Sequence, residues 1–262
     1  MPGQVRVTSH GGITRVLLSH PGKLNAMSRA MWRKLRTVFE RIQADPACRC
    51  VVVEGEGDAF CAGGDISEYA QFRFEEPSLR SFHEDDVWGG LNAIVLCDVP
   101  VVAAIRGACM GAGVEIASAC DLRIAAQSAS FGAPIARLGF PMAPREAELV
   151  LRVLGESTAR QFLLEAAVLD ATEMKARGFL QHLVPDEEMA DRVQALARRV
   201  ASLAPQAARL NKRTFRALRS QPVPDGTLTR ALEELAGAYS YAPAPEHREG
   251  VAAFLEKRKP DF

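Results

Sequence analysis

The chain has 262 residues, 48% of them hydrophobic, and its 32 Lys+Arg balance 32 Asp+Glu for a formal net charge of zero. That length and apolar content suffice for one large domain, or a domain with a small appendage. The balance leaves no basic excess for a nucleic-acid partner and no acidic tail of the kind that stays disordered.

The N-terminus, MPGQVRVTSHGGITRV, has neither the apolar core of a signal peptide nor the pattern of a transit helix. No run approaches the ~18 apolar residues of a membrane span, so a soluble, cytoplasmic protein is expected. Residues 14–19 read as a strand. Residues 28–44 read as a helix, with Ser28 as N-cap and Met31, Leu35, Val38, Phe39 and Ile42 on one face. CVVVEGEG (50–57) is a short apolar run ending in glycines, which suits a buried strand. The polar, aromatic stretch 67–86 is expected to be helical, interrupted by a mobile loop near Glu75–Ser78. DVPVVAAIRG (98–107) and DLRIAA (121–126) are further buried strands. Helix-like segments between them predict βα crossovers and an α/β core. From about residue 144 every segment has helical period, including 228–240 and 248–259.

The six cysteines, at 48, 50, 61, 97, 109 and 120, form no Cys-x-x-Cys pair, and no His stands at zinc spacing. Reduced, buried thiols and no metal are expected. Cys61 lies among glycines, but no His near it in sequence would activate it as a nucleophile.

Two stretches share a layout. CVVVEGEGDAFCAGGDI and VVAAIRGACMGAGVEI each run from a strand through a turn into small residues. Small residues there let a ligand approach backbone N–H groups. If GAGVEIASA begins a helix, its first N–H groups are free and its dipole is positive at the opening. Two such turns on neighbouring strands can aim two donors at one oxygen. The glycine spacing is not G-x-G-x-x-G, no G-K-[ST] follows it, and no G-x-S-x-G exists. Dinucleotide, P-loop and serine-hydrolase readings are therefore disfavoured. One carboxylate, Glu115, sits among Gly, Ala, Val and Ile, where a charge is expensive to bury.

At these residues the chain resembles the enoyl-CoA hydratase/isomerase (crotonase) superfamily. The resemblance rests on HPGKLNAMS (20–28), FCAGGDI (60–66), residues 100–126, SFGAPIARLG (130–139) and EGVAAFLEKRKPDF (249–262). It implies a spiral of ββα units making two sheets, with a helical C-terminal region. Residues 1–200 would form the acyl-CoA-binding core and 201–262 an oligomerisation region, assembled as a homotrimer or hexamer. Coenzyme A would arrive as part of the substrate, with no other cofactor.

The resemblance also implies site residues. The N–H groups of Gly64 and Ala112, next to Gly111, would hold the thioester oxygen. Lys23, Leu24 and Ala26, with Ala62, Asp65 and Ile66, would border the nucleotide and pantetheine. Phe254 and Lys257 would contact the nucleotide, often that of a neighbouring subunit. Glu115 matches one of two glutamates that family hydratases set beside the acyl carbons. The second falls at Ile135, which carries no proton. Glu146 and Glu148 are acids in that neighbourhood, and His83, Asp85 and Asp86 lie in a segment that often lines the acyl pocket. Three readings remain open: an enzyme using Glu115 alone for isomerisation or other thioester chemistry, a hydratase with a relocated second acid, and a non-catalytic acyl-CoA-binding protein.

Overall fold

The apolar runs become strands buried on both faces. A computed structural model describes residues 2–219 and 241–262. The strands are β1 (Gln4–His10), β2 (Ile13–Ser19), β3 (Cys50–Gly55), β4 (Val101–Ile105), β5 (Ala108–Met110), β6 (Leu122–Ala126), β7 (Ser130–Gly132), β8 (Val168–Asp170) and β9 (His182–Val184). The helices are α1 (Arg29–Ala44), α2 (Glu76–Ser81), α3 (Trp88–Leu96), α4 (Ala112–Ala119), α5 (Pro144–Leu154), α6 (Glu156–Arg160), α7 (Ala171–Ala176), α8 (Met189–Ala201), α9 (Pro205–Arg219) and α10 (Pro245–Leu255).

A six-stranded sheet runs in the order β1-β2-β3-β4-β6-β9, and a three-stranded sheet in the order β5-β7-β8. In the large sheet β1 and β2 are an antiparallel hairpin and the other neighbours are parallel. Strand periodicity divides the core. Val51, Val53, Val101, Ala103 and Ile105 face the main cluster with α1 and α3, while Cys50, Val52, Val102 and Ala104 face α8 through Val193 and Ala197. Ser28 caps α1 by accepting from the Met31 N–H, and the predicted apolar face of α1 is buried.

Two expectations change. Glu75 is the N-cap of α2 and Glu76–Ser78 its first residues, where the Ser78 hydroxyl donates to the Phe72 and Glu75 carbonyls. The C-terminal third is interrupted by β8 and β9, whose three residues each are too few to carry a period. α9 docks through polar contacts: Arg209 donates to the Asp45 and Cys48 carbonyls, Lys212 pairs with Asp121, and Arg216 pairs with Asp98. The helix expected over 228–240 lies outside the described residues; the one expected over 248–259 is α10, Pro245–Leu255. All six cysteines are buried free thiols, and burial pushes Cys61 up to about 12.

The two glycine turns are pinned together. Met27 N–H donates to Gly63 O at 2.8 Å and Asp65 N–H to Met27 O at 2.9 Å. Met110 N–H donates to Cys61 O at 2.8 Å, and Gly111 N–H to Gly132 O at 2.8 Å. Gly111 takes φ +46° as it opens α4, a conformation that favours glycine. Gly113 lies against the Cys61 carbonyl, where an added Cβ would be 2.5 Å from the oxygen.

Gly113→Ala forces this seam apart and is expected to cost about 1–3 kcal/mol. On α3, a Cβ at Gly89 would meet Arg36 side-chain atoms at an ordinary 3.5 Å. Gly89→Ala is therefore expected to stabilise by about 0.4–1 kcal/mol. Chemical unfolding of both variants checks the pair; equal effects would contradict the seam.

Candidate active site

The seam brings the two turns to one wall of a cavity of about 340 Å³. Gly64 and Ala112 both line it. Their N–H groups donate to no group among the described residues. Ala112 is the first residue of α4, so its N–H is one of the helix's intrinsically unpaired donors.

Glu115 stands one turn into α4, its N–H bonded to Gly111 O at 3.0 Å. Every residue of α4 is buried, and Glu115 is only 7% exposed. Its carboxylate lines the cavity and makes no hydrogen bond or ion pair among the described residues. Burial, and then the charge of Glu146, push its pKa well above the usual carboxylate range. The dipole of α4 favours the anion, but desolvation outweighs it.

Glu146 enters the same cavity from the first turn of α5 and is 3% exposed. Its Oε1 lies 2.8 Å from Nδ1 of His83, which also lines the cavity. Ile135 forms part of the wall. Glu148 is exposed on α5 and pairs with Arg152 at 2.7 Å. Asp85 is exposed and accepts from the Ser81 hydroxyl. Asp86 is buried in a pair with Arg29 and Arg33, so its work is structural.

Ala62, Ile66 and Gly111 complete the expected set on the cavity wall. Lys23 pairs with Asp65 at 2.7 Å and also donates to Ser67, while Asp65 accepts from the Ser67 N–H. Ala62 N–H donates to Leu24 O at 2.9 Å, and Leu24 itself is 59% exposed with φ +46°. Ala26 is buried, with its N–H bonded to Lys23 O. Lys23, Leu24 and Ala26 therefore abut the first glycine turn. Phe254, 82% exposed, and Lys257 do not line the cavity of this single chain.

Tyr69, Arg73 and Phe140 line the cavity without having been singled out in the sequence. The Tyr69 ring lies edge-on to Phe72, Phe82 and Phe140. Its hydroxyl is so close to Gly64 that any Cβ there would strike it. Burial raises the Tyr69 pKa and keeps the phenol protonated.

A carboxyl whose pKa is raised on folding binds its proton more tightly in the native state. Stability therefore falls as pH rises from the unfolded value of about 4.3 toward the raised value. Glu115→Gln removes that slope. Its stability relative to the parent is expected to grow with pH across this window, read by urea unfolding at about pH 5 and pH 8. A pH-independent difference would contradict a desolvated Glu115.

Comparison with known proteins identifies the family. The family model for enoyl-CoA hydratase/isomerase matches residues 8–262. A probable enoyl-CoA hydratase of Rhodobacter capsulatus is 32% identical over 258 residues, covering 98% of this chain and 97% of that protein. A mevalonyl-coenzyme A hydratase of Beauveria bassiana is 30% identical over 253 residues, covering 94% and 89%. The crystal structure of an enoyl-CoA hydratase/carnithine racemase from Magnetospirillum magneticum superposes with a TM-score of 0.90 at 35% identity, covering 98% of this chain and 94% of that one. The expected fold is thereby established, and the chain belongs to the enoyl-CoA hydratase/isomerase family of the crotonase superfamily.

Proposed function

We propose that this chain is an enzyme that moves protons on the acyl chain of a coenzyme A thioester. The observation that carries this reading is an unpaired buried carboxylate, Glu115, in one cavity with two unpaired backbone donors, Gly64 and Ala112. The thioester oxygen accepts from both N–H groups. Glu115 takes a proton from the α-carbon, and the C–H electron pair becomes the enolate, with its charge on that oxygen. Donors fixed by the backbone need little reorganisation as this charge develops. The raised pKa makes Glu115 a stronger base near neutrality than an exposed glutamate. No cofactor beyond the substrate's own coenzyme A enters these steps.

The proton held by Glu115 passes to Glu146, which His83 orients in the same cavity, and Glu146 delivers it to a second carbon, so that both carboxylates end as they began. Return along the chain moves the double bond, which is isomerisation. Ile135 supports this outcome over two-glutamate hydration, because the wall there offers no acid. Hydration is the second reading, favoured by the Glu146–His83 pair, which has the hydrogen-bonding groups to orient a water at the β-carbon. Product analysis with 2-enoyl- and 3-enoyl-CoA thioesters separates them: the isomerase interconverts the two, and the hydratase yields a 3-hydroxyacyl product.

Glu115→Gln is expected to lower turnover by roughly 10²–10⁴-fold with little change in ligand affinity. Unchanged turnover would assign the proton transfer to another acid such as Glu146 or Glu148, and no turnover in the parent protein would favour the binding-protein reading. At position 64 two variants isolate the donor, since both bring the Cβ that meets Tyr69. Gly64→Ala keeps the N–H and Gly64→Pro deletes it, so Pro should be slower than Ala by about 10²–10³-fold. Equal rates would remove Gly64 from the oxyanion site. The exposed Phe215, Phe254 and Leu255 support assembly into trimers or hexamers, and a single-subunit mass by sedimentation would contradict it.

A further inference from the structure

Two arginines line the cavity: Arg137 donates to the Ala166 carbonyl, and the guanidinium of Arg73 meets no polar group. Arg73 follows the turn Ile66–Gln71 and lines the same cavity as Glu115. Its Cζ lies 3.5 Å from the centroid of the Phe140 ring and 4.6 Å from that of Tyr69. Its backbone N–H donates to the Tyr69 carbonyl, but its guanidinium makes no hydrogen bond and no ion pair among the described residues. Burial pulls its pKa down, opposed by Tyr69 and then Glu146, but a guanidinium so placed stays protonated. The nearby carboxylate of Glu146 is engaged by His83 instead.

Stacking on aromatic rings uses the faces of a guanidinium and leaves its N–H groups along the edge. Those five donors match a planar carboxylate, which can accept two of them in parallel. The surrounding wall includes Phe82, Val87, Leu138 and Met142, which offer an acyl chain only apolar contact. A partly desolvated cation without a partner is costly in such a wall. An anionic group brought in by the ligand offsets that cost.

We propose that the acyl group taken by this site bears a carboxylate at its far end, and that Arg73 receives it. The proposal rests on the acyl-CoA reading above and adds the class of acyl group. It makes Arg73 a specificity-determining residue: an ω-carboxylated acyl-CoA is preferred over the plain acyl-CoA of the same chain.

The test measures binding by calorimetry, with butyryl-CoA and glutaryl-CoA as probes. The two differ only by one terminal carboxylate, and neither has a double bond to hydrate or shift. Glutaryl-CoA is expected to bind about 10-fold or more tighter to the parent protein, the worth of a charge-assisted hydrogen bond. Arg73→Met should collapse that ratio toward one, and Arg73→Lys should restore part of it, since lysine keeps the charge but loses the fork. Equal affinities in the parent protein would overturn the proposal. So would an equal loss for both probes in Arg73→Met, the result expected if Arg73 held a phosphate of coenzyme A. Binding of neither probe would overturn the acyl-CoA reading itself, and this inference with it.

Discussion

The site depends on a carboxylate held without a partner in an apolar cavity. Glu115 is kept there by α4, whose eight residues are all buried and whose start is fixed by Gly111 against Gly132. The cost of that burial is met by the packing of the whole segment. It leaves a proton acceptor stronger than an exposed glutamate and tied to no cation. A lysine or arginine paired with Glu115 would stabilise the fold and remove its basicity. The same seam leaves the N–H groups of Gly64 and Ala112 without acceptors. The buried carboxylate and the two unpaired N–H groups, which we propose as base and oxyanion donors, are thus two consequences of one backbone arrangement, the close approach of two glycine turns along Cys61–Gly64 and Met110–Gly113.

Much of this was legible in the sequence because it is local. The period of 28–44, the apolar runs at 50 and 101, and the two strand-to-glycine turns each lie within a few residues. The lone acid of RGACMGAGVEIASACDLRIA announced itself by contrast with its neighbours. Three-residue strands carry no period, so β5, β7, β8 and β9 were silent. β1 was silent too: only Val5 of its seven residues is buried, so no apolar run marks it. The 67–86 segment misled because Pro77 and Ser78, which suggest a loop, here begin a helix.

The remaining site residues were hidden by distance in the chain. His83 and Glu146 are 63 residues apart, and nothing local distinguishes Glu146 from Glu148 two positions on. The helix turns one inward and the other outward, a difference that only the packing of α5 fixes. Tyr69 and Arg73 read as part of a polar, aromatic surface stretch until Phe140 meets them from another segment. Ile135 was legible as a departure from the family pattern. Its meaning came only with a second buried carboxylate in the same cavity.

The central claim is that Glu115 removes a proton from the carbon next to a thioester. Butyryl-CoA in D₂O tests this step alone, because it carries an α-proton and no double bond. Proton NMR is expected to show loss of the α-CH₂ signal with the parent protein and, at equal enzyme, exchange slower by roughly 10²–10⁴-fold with Glu115→Gln. Exchange at the same rate in both, or none in a parent protein saturated with butyryl-CoA, would contradict the account.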